Sequence, residues 1–162
     1  MPTLTPGKTL LALLALATIL GPYLADWKYL TPTPLPTQLT SPPPPSETHV
    51  LNPNWPPHAR FHNGQTMTTG LMLGLLTLLY LRAPPVSARK DEEKSNINHA
   101  LLFLHLYYVP ALSGALYPGA LFIDPEFGEG KPQLWLFMGF LGVAWWGWGL
   151  EMRRLGGKGR GG

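Results

Sequence analysis

Four blocks of apolar residues, at about 9–25, 60–81, 97–117 and 133–150, constrain this chain more than any other feature. Each approaches the roughly 20 residues that a helix needs to cross a bilayer. Inside a bilayer every backbone donor and acceptor must be satisfied within the segment or by a closed barrel, so four separate apolar spans have to be helices. The expected fold is all-α: an integral membrane four-helix bundle with a Pro-rich loop, 31–57, on the non-cytosolic side. Only 13% of the residues are charged, and Leu, Trp and Tyr concentrate in the four blocks. The mean hydropathy nevertheless stays near zero, because Pro-rich and charged connectors offset the blocks. No Cys is present, which excludes disulfides, thiolate catalysis and Cys-based metal sites. Lys and Arg give a net charge of +3 but flank the apolar blocks instead of forming a patch with interleaved aromatics, so nucleic acid is not an expected partner.

The connectors set the topology. Placing the N-terminus, the 82–96 connector and the tail in the cytosol collects Lys8, Arg82, Arg89, Lys90, Lys94, Arg153, Arg154, Lys158 and Arg160 there, nine of the twelve basic residues, and leaves Lys28, Arg60 and Lys131 outside. Both termini are therefore expected to be cytosolic. Residues 9–25 read as a retained span. The other reading is a signal peptide, but Tyr23 stands where a cleavage site wants a small residue, and Gly21-Pro22 suits a kinked helix. The run Arg89-Lys-Asp-Glu-Glu-Lys94 reads as a solvated face. Residues 156–162, rich in Gly, read as a disordered tail.

One polar stretch stands out, from Asn52 to Gln65, running directly into the apolar segment from Met67 to Leu81. Pro56 and Pro57 are tolerated before or at the first turn of a helix but not inside one, so the helix is expected to start near His58. His58, His62, Thr66, Gly70 and Gly74 are spaced by four, and a Gly-x-x-x-Gly pair permits close helix approach. On that spacing the two histidines are expected to face the bundle interior. His62 is the expected proton-transfer group, with His58 beside it. Asp26 is the first candidate to orient His62, and Asp124 or Glu126 the second, because a His with a nearby carboxylate moves protons at neutral pH. Arg60, Asn63 and Gln65, with Trp55 and Asn52, are the expected binding groups for a ligand oxygen. Asn98, His105 and Tyr108 share a face of the third span as a polar seam. His105 lies about 12 Å inside it and ranks below His62. His58 and His62 lack the intervening Glu of a zincin helix and have Arg60 between them, so no metal is expected. No nucleophile elbow, nucleotide loop or cofactor fingerprint appears, leaving cofactor-free chemistry.

The residues Glu47-Thr-His-Val-Leu-Asn-Pro-Asn-Trp-Pro-Pro-His-Ala-Arg-Phe-His-Asn-Gly-Gln65 resemble the signature of a family of small four-span membrane proteins of fungi and some bacteria. Some members carry acetyltransferase-type labels or sit beside polyketide and terpenoid biosynthetic enzymes. The resemblance is strongest over roughly Asp26 to Gly74. It implies a lipophilic secondary metabolite as ligand and puts Asn52, His58, Arg60, His62, Asn63 and Gln65 in the signature. The expected function is acid-base chemistry on a lipophilic small molecule, such as isomerisation, cyclisation or epoxide opening, in the endoplasmic reticulum membrane of a eukaryotic host. The other reading is a non-catalytic accessory or carrier. Membrane lipid, a second copy of the chain or a biosynthetic enzyme are the expected partners.

Overall fold

The computed structural model describes residues 5–26, 50, 55–82, 90–122 and 130–157. Among them the chain forms four long helices and no strand: α1 Pro6–Asp26, α2 Pro57–Leu81, α3 Lys90–Ser113 with a 3-10 turn Gly114–Leu116, and α4 Pro132–Gly156. Three of these, Pro6–Ala25, Pro57–Leu81 and Lys90–Leu116, are long and apolar enough to cross a membrane, which fits a membrane protein. Helix α4 matches them in length, but Trp and Gly take the place of Leu along it and lower its hydropathy.

Local chemistry explains the helix ends. Pro6, Pro57 and Pro132 each open a helix, where the missing N–H costs nothing and the fixed φ is already helical. Helix α3 begins at Lys90, about two turns before the apolar run, because Asp91, Glu92 and Glu93 fill its first turn and complement the positive end of the helix dipole. Helix α4 likewise extends past Leu150 to Gly156, with Arg153 and Arg154 in its last turn at the negative end.

The helices alternate in direction and pack as a square, each against its two chain neighbours and α1 against α4, with α1 and α3 also touching across the diagonal. The core holds Leu11, Ala15, Ile97, Ala100, Leu104 and Ala144, all fully buried. Leu13, Leu20, Leu75, Leu102 and Leu136 point outward instead and are at least half exposed, as lipid-facing positions do. Small residues let the backbones meet. Gly70 and Gly74 face the interior as expected from their spacing: a Cβ on Gly70 would lie 2.8 Å from the Tyr107 ring and 3.0 Å from the Thr18 carbonyl, and one on Gly74 2.8 Å from the Ala15 carbonyl. Gly7 meets Gly147 in the same way between α1 and α4. Only glycine permits these distances.

Where α1 and α3 begin and α4 ends, charge closes the bundle. Glu93 accepts from Lys8 at 2.6 Å and from Arg154 at 2.7 Å. Arg154 also reaches Glu151 at 2.8 Å. Glu151 is only 1% exposed, and its Oε1 accepts from the Thr5 hydroxyl and, at 3.2 Å, from the Lys8 backbone N–H. A carboxylate of α4 thus caps the N-terminus of α1, satisfying a donor that the helix itself leaves open. The expectation of a solvated charge run holds for Asp91 and Glu92, which are exposed, but not for Glu93, which helix α3 turns inward onto Lys8.

Candidate functional site

At the opposite end of the bundle, α2 opens with the polar stretch. His62 Nδ1 lies 2.8 Å from Gln65 Oε1, and its Nε2 lies 3.0 Å from His58 Nε2. The amide oxygen only accepts, so His62 donates from Nδ1, and its Nε2 in turn accepts the Nε2–H of His58. Phe61 stacks on His58 with ring centroids 6.1 Å apart. These side chains form a directed relay along one face of α2.

That face points outward. His58, His62, Gln65 and Thr66 are exposed, whereas Gly70 and Gly74 are buried. The expectation that one stripe of spacing four carries the histidines into the interior is therefore corrected. An α-helix advances about 100° per residue, so each step of four drifts about 40°, placing His62 about 120° and His58 about 160° from Gly74. The residues that share the interior direction are Asn63, about 20° away, and Arg60, about 40° away. Both are half-buried, and Asn63 Nδ2 is enclosed without a hydrogen-bond acceptor among the described residues.

The other expected site residues divide between described positions and positions outside the described residues. Trp55 is half-buried just before α2. Asp26 is the last residue of α1, and nothing is described of its side chain; Asn52, Asp124 and Glu126 lie outside the described residues. His105 donates from Nδ1 to the Leu101 carbonyl at 2.8 Å and meets the Trp145 ring edge at 5.5 Å between centroids. The expected polar seam divides between two neighbours. Asn98 accepts from Trp148 of α4 at 2.7 Å, while Tyr108 turns to α1 and bonds Thr18 at 2.8 Å. Thr18 itself donates to the Leu14 carbonyl, so the Tyr108 hydroxyl is the donor of the pair.

The bundle has a cleft that the sequence did not reveal. Between the C-terminal half of α1, the start of α4 and Tyr107 and Tyr108 of α3 lies a cavity of about 460 Å³, walled by Leu16, Leu20, Leu136, Phe137 and Phe140. Tyr108 and Gln133 bring polar groups to this wall, and Gly21-Pro22 forms part of it. It sits at the same end of the bundle as the His58–His62 relay, yet no residue of α2 lines it. The two features are separate sites as the helices stand. Gly21-Pro22 and Tyr107-Tyr108 are visible in the sequence, but nothing there shows that they meet Gln133 across three helices. Among the described residues, no three His, Asp or Glu side chains come together as a metal cluster.

An all-α bundle with helices of membrane-spanning length and an apolar cleft among them defines a class, the small helical membrane-type proteins. Within it, residues 43–161 match a family of unknown function (DUF6640), and the chain belongs to that family. No curated protein and no solved structure matches it. The match begins beyond α1, although α1 supplies one wall of the cleft and the partner surface of Gly70 and Gly74.

Proposed function

We propose that this protein spans the membrane four times and takes a lipophilic small molecule into the cleft between α1, α3 and α4. The cleft itself carries the reading. Its volume of about 460 Å³ falls within the roughly 300–1,000 Å³ of small-molecule sites, and its composition, apolar walls with a few polar groups, is what such sites use. The signature at Asn52–Gln65, read as that of small membrane proteins found beside secondary-metabolite enzymes, supports a secondary metabolite as the ligand. The protein then acts as a carrier or accessory subunit for a partner enzyme in the endoplasmic reticulum membrane of a eukaryotic host, with both termini cytosolic. In sealed microsomes, tags at both termini are expected to be digested by added protease; protection of either would overturn that orientation.

Gly21 offers a clean test of the cleft. It lines the cavity, and a Cβ on it would meet nothing within 4 Å, so Gly21→Leu fills space without moving the helices. Wild-type protein purified in mild detergent is expected to release a lipophilic compound into organic solvent, detected by mass spectrometry. Gly21→Leu is expected to release at least tenfold less at unchanged thermal stability. Equal recovery from both would remove the cleft as the binding site.

A second reading rests on the His58–His62 pair, oriented by Gln65: His62 exchanges a proton with a lipophilic compound seated against the exposed face of α2, apart from the cleft, in an isomerisation, cyclisation or epoxide opening. Loss of a general acid-base group of this kind costs about 10²–10⁴ in rate. His62→Ala is expected to lower conversion by that factor with binding unchanged. Full conversion by His62→Ala leaves the carrier reading alone.

A further inference from the structure

We propose that His58 and His62 seat a divalent first-row transition metal ion, with Gln65 as the positioning residue for His62. One turn of helix separates the two imidazoles, and their Nε2 atoms converge to 3.0 Å. Metal–nitrogen bonds are about 2.0–2.1 Å, so an ion held by both nitrogens would see them at about 94°. That is close to the cis angle of square-planar or octahedral coordination, which suits Cu²⁺ and Ni²⁺ directly. Tetrahedral Zn²⁺ needs the nitrogens about 0.3 Å further apart, within reach of small rotamer changes.

Two further observations point the same way. A metal-bound imidazole almost always donates its other ring N–H to an oxygen, which fixes the tautomer and aims the lone pair. His62 Nδ1 makes that bond to Gln65 Oε1 at 2.8 Å, leaving Nε2 as a lone-pair donor directed at His58. In sequence Arg60 stands between the histidines, a placement that disfavours a cation. On the helix it lies about 160° from each of them, on the interior side. Exposure of His58 and His62 leaves the remaining coordination positions open to water or to an oxygen ligand at the membrane surface. An incoming ion takes the place of the proton between the two Nε2 atoms, and His58 changes tautomer so that this proton sits on its Nδ1, which makes metal binding and the His58–His62 hydrogen bond mutually exclusive. The metal seat is independent of the cleft and of its ligand.

The test uses the full chain without a polyhistidine tag, purified in detergent, stripped with a chelator and titrated with Ni²⁺, Cu²⁺ or Zn²⁺ in a calorimeter at neutral pH. One equivalent is expected to bind. His58→Ala and His62→Ala should each abolish it, with helix content retained because both side chains are exposed. Gln65→Ala should weaken it about 10- to 100-fold, as losing the oxygen that accepts from a metal-bound imidazole does. Thr69→Ala, on the same face one turn further along, should bind as wild type does. Binding that survives in the His58→Ala/His62→Ala double variant would overturn the proposal, as would the absence of binding to wild type, and wild-type affinity in Gln65→Ala would overturn the positioning role.

Discussion

Glu151→Ala is expected to lower the stability of the purified protein by about 3 kcal/mol, the largest loss for any single polar substitution in the bundle. Glu151 is 1% exposed and joins three helices: it accepts from Thr5 and the Lys8 N–H at the start of α1, and pairs with Arg154, which also holds Glu93 of α3. Alanine leaves the α1 terminus uncapped in an enclosed site and deletes one acceptor of Arg154. The charges of Lys8 and Arg154 still have Glu93, which keeps the loss below that of orphaning both. Glu151→Gln keeps the volume and an acceptor oxygen, so it should fall between alanine and wild type. Denaturant-induced unfolding in detergent measures the series, with exposed Arg153→Ala as the reference. If Glu151→Ala unfolded with Arg153→Ala, the capping contact would contribute nothing.

Gly74→Leu is the second large effect, expected at about 1–3 kcal/mol or more through overpacking. Its Cβ would sit 2.8 Å from the Ala15 carbonyl and against Ile19, so α1 and α2 have to part along the seam that also holds Gly70. A backbone carbonyl cannot swing away as a side chain can. Gly142→Leu is the matched comparison: nothing lies within 4 Å of its Cβ, and leucine is the better helix former, so stability should hold or rise. Thermal unfolding monitored by circular dichroism separates the two. Similar midpoints would mean that the α1–α2 contact is looser than the distances indicate.

Much of the fold was legible along the chain because membrane-length helices are set locally, by apolar length and by helix-end chemistry. Pro57 opening α2 and the Gly70–Gly74 contact follow from residue type and spacing alone. The start of α3 at Lys90 does not follow from the apolar run, which begins about two turns later; its signal is the acidic first turn, Asp91 to Glu93, that favours a helix N-terminus. At the candidate site, the relay among His58, His62 and Gln65 follows from spacings of three and four. The direction it faces did not, since a repeat of four drifts across the helix surface until its two ends lie on opposite sides.

The sequence by itself determined the all-α class, the helix-forming blocks and the close-packing glycines. Only the tertiary structure decided which residues meet. Glu93 with Lys8, Tyr108 with Thr18, and the cleft between α1, α3 and α4 join residues far apart in the chain. The physical reason is that periodicity fixes a side chain's angle about its own helix. What lies in that direction depends on the rotation and neighbours each helix adopts when the bundle closes.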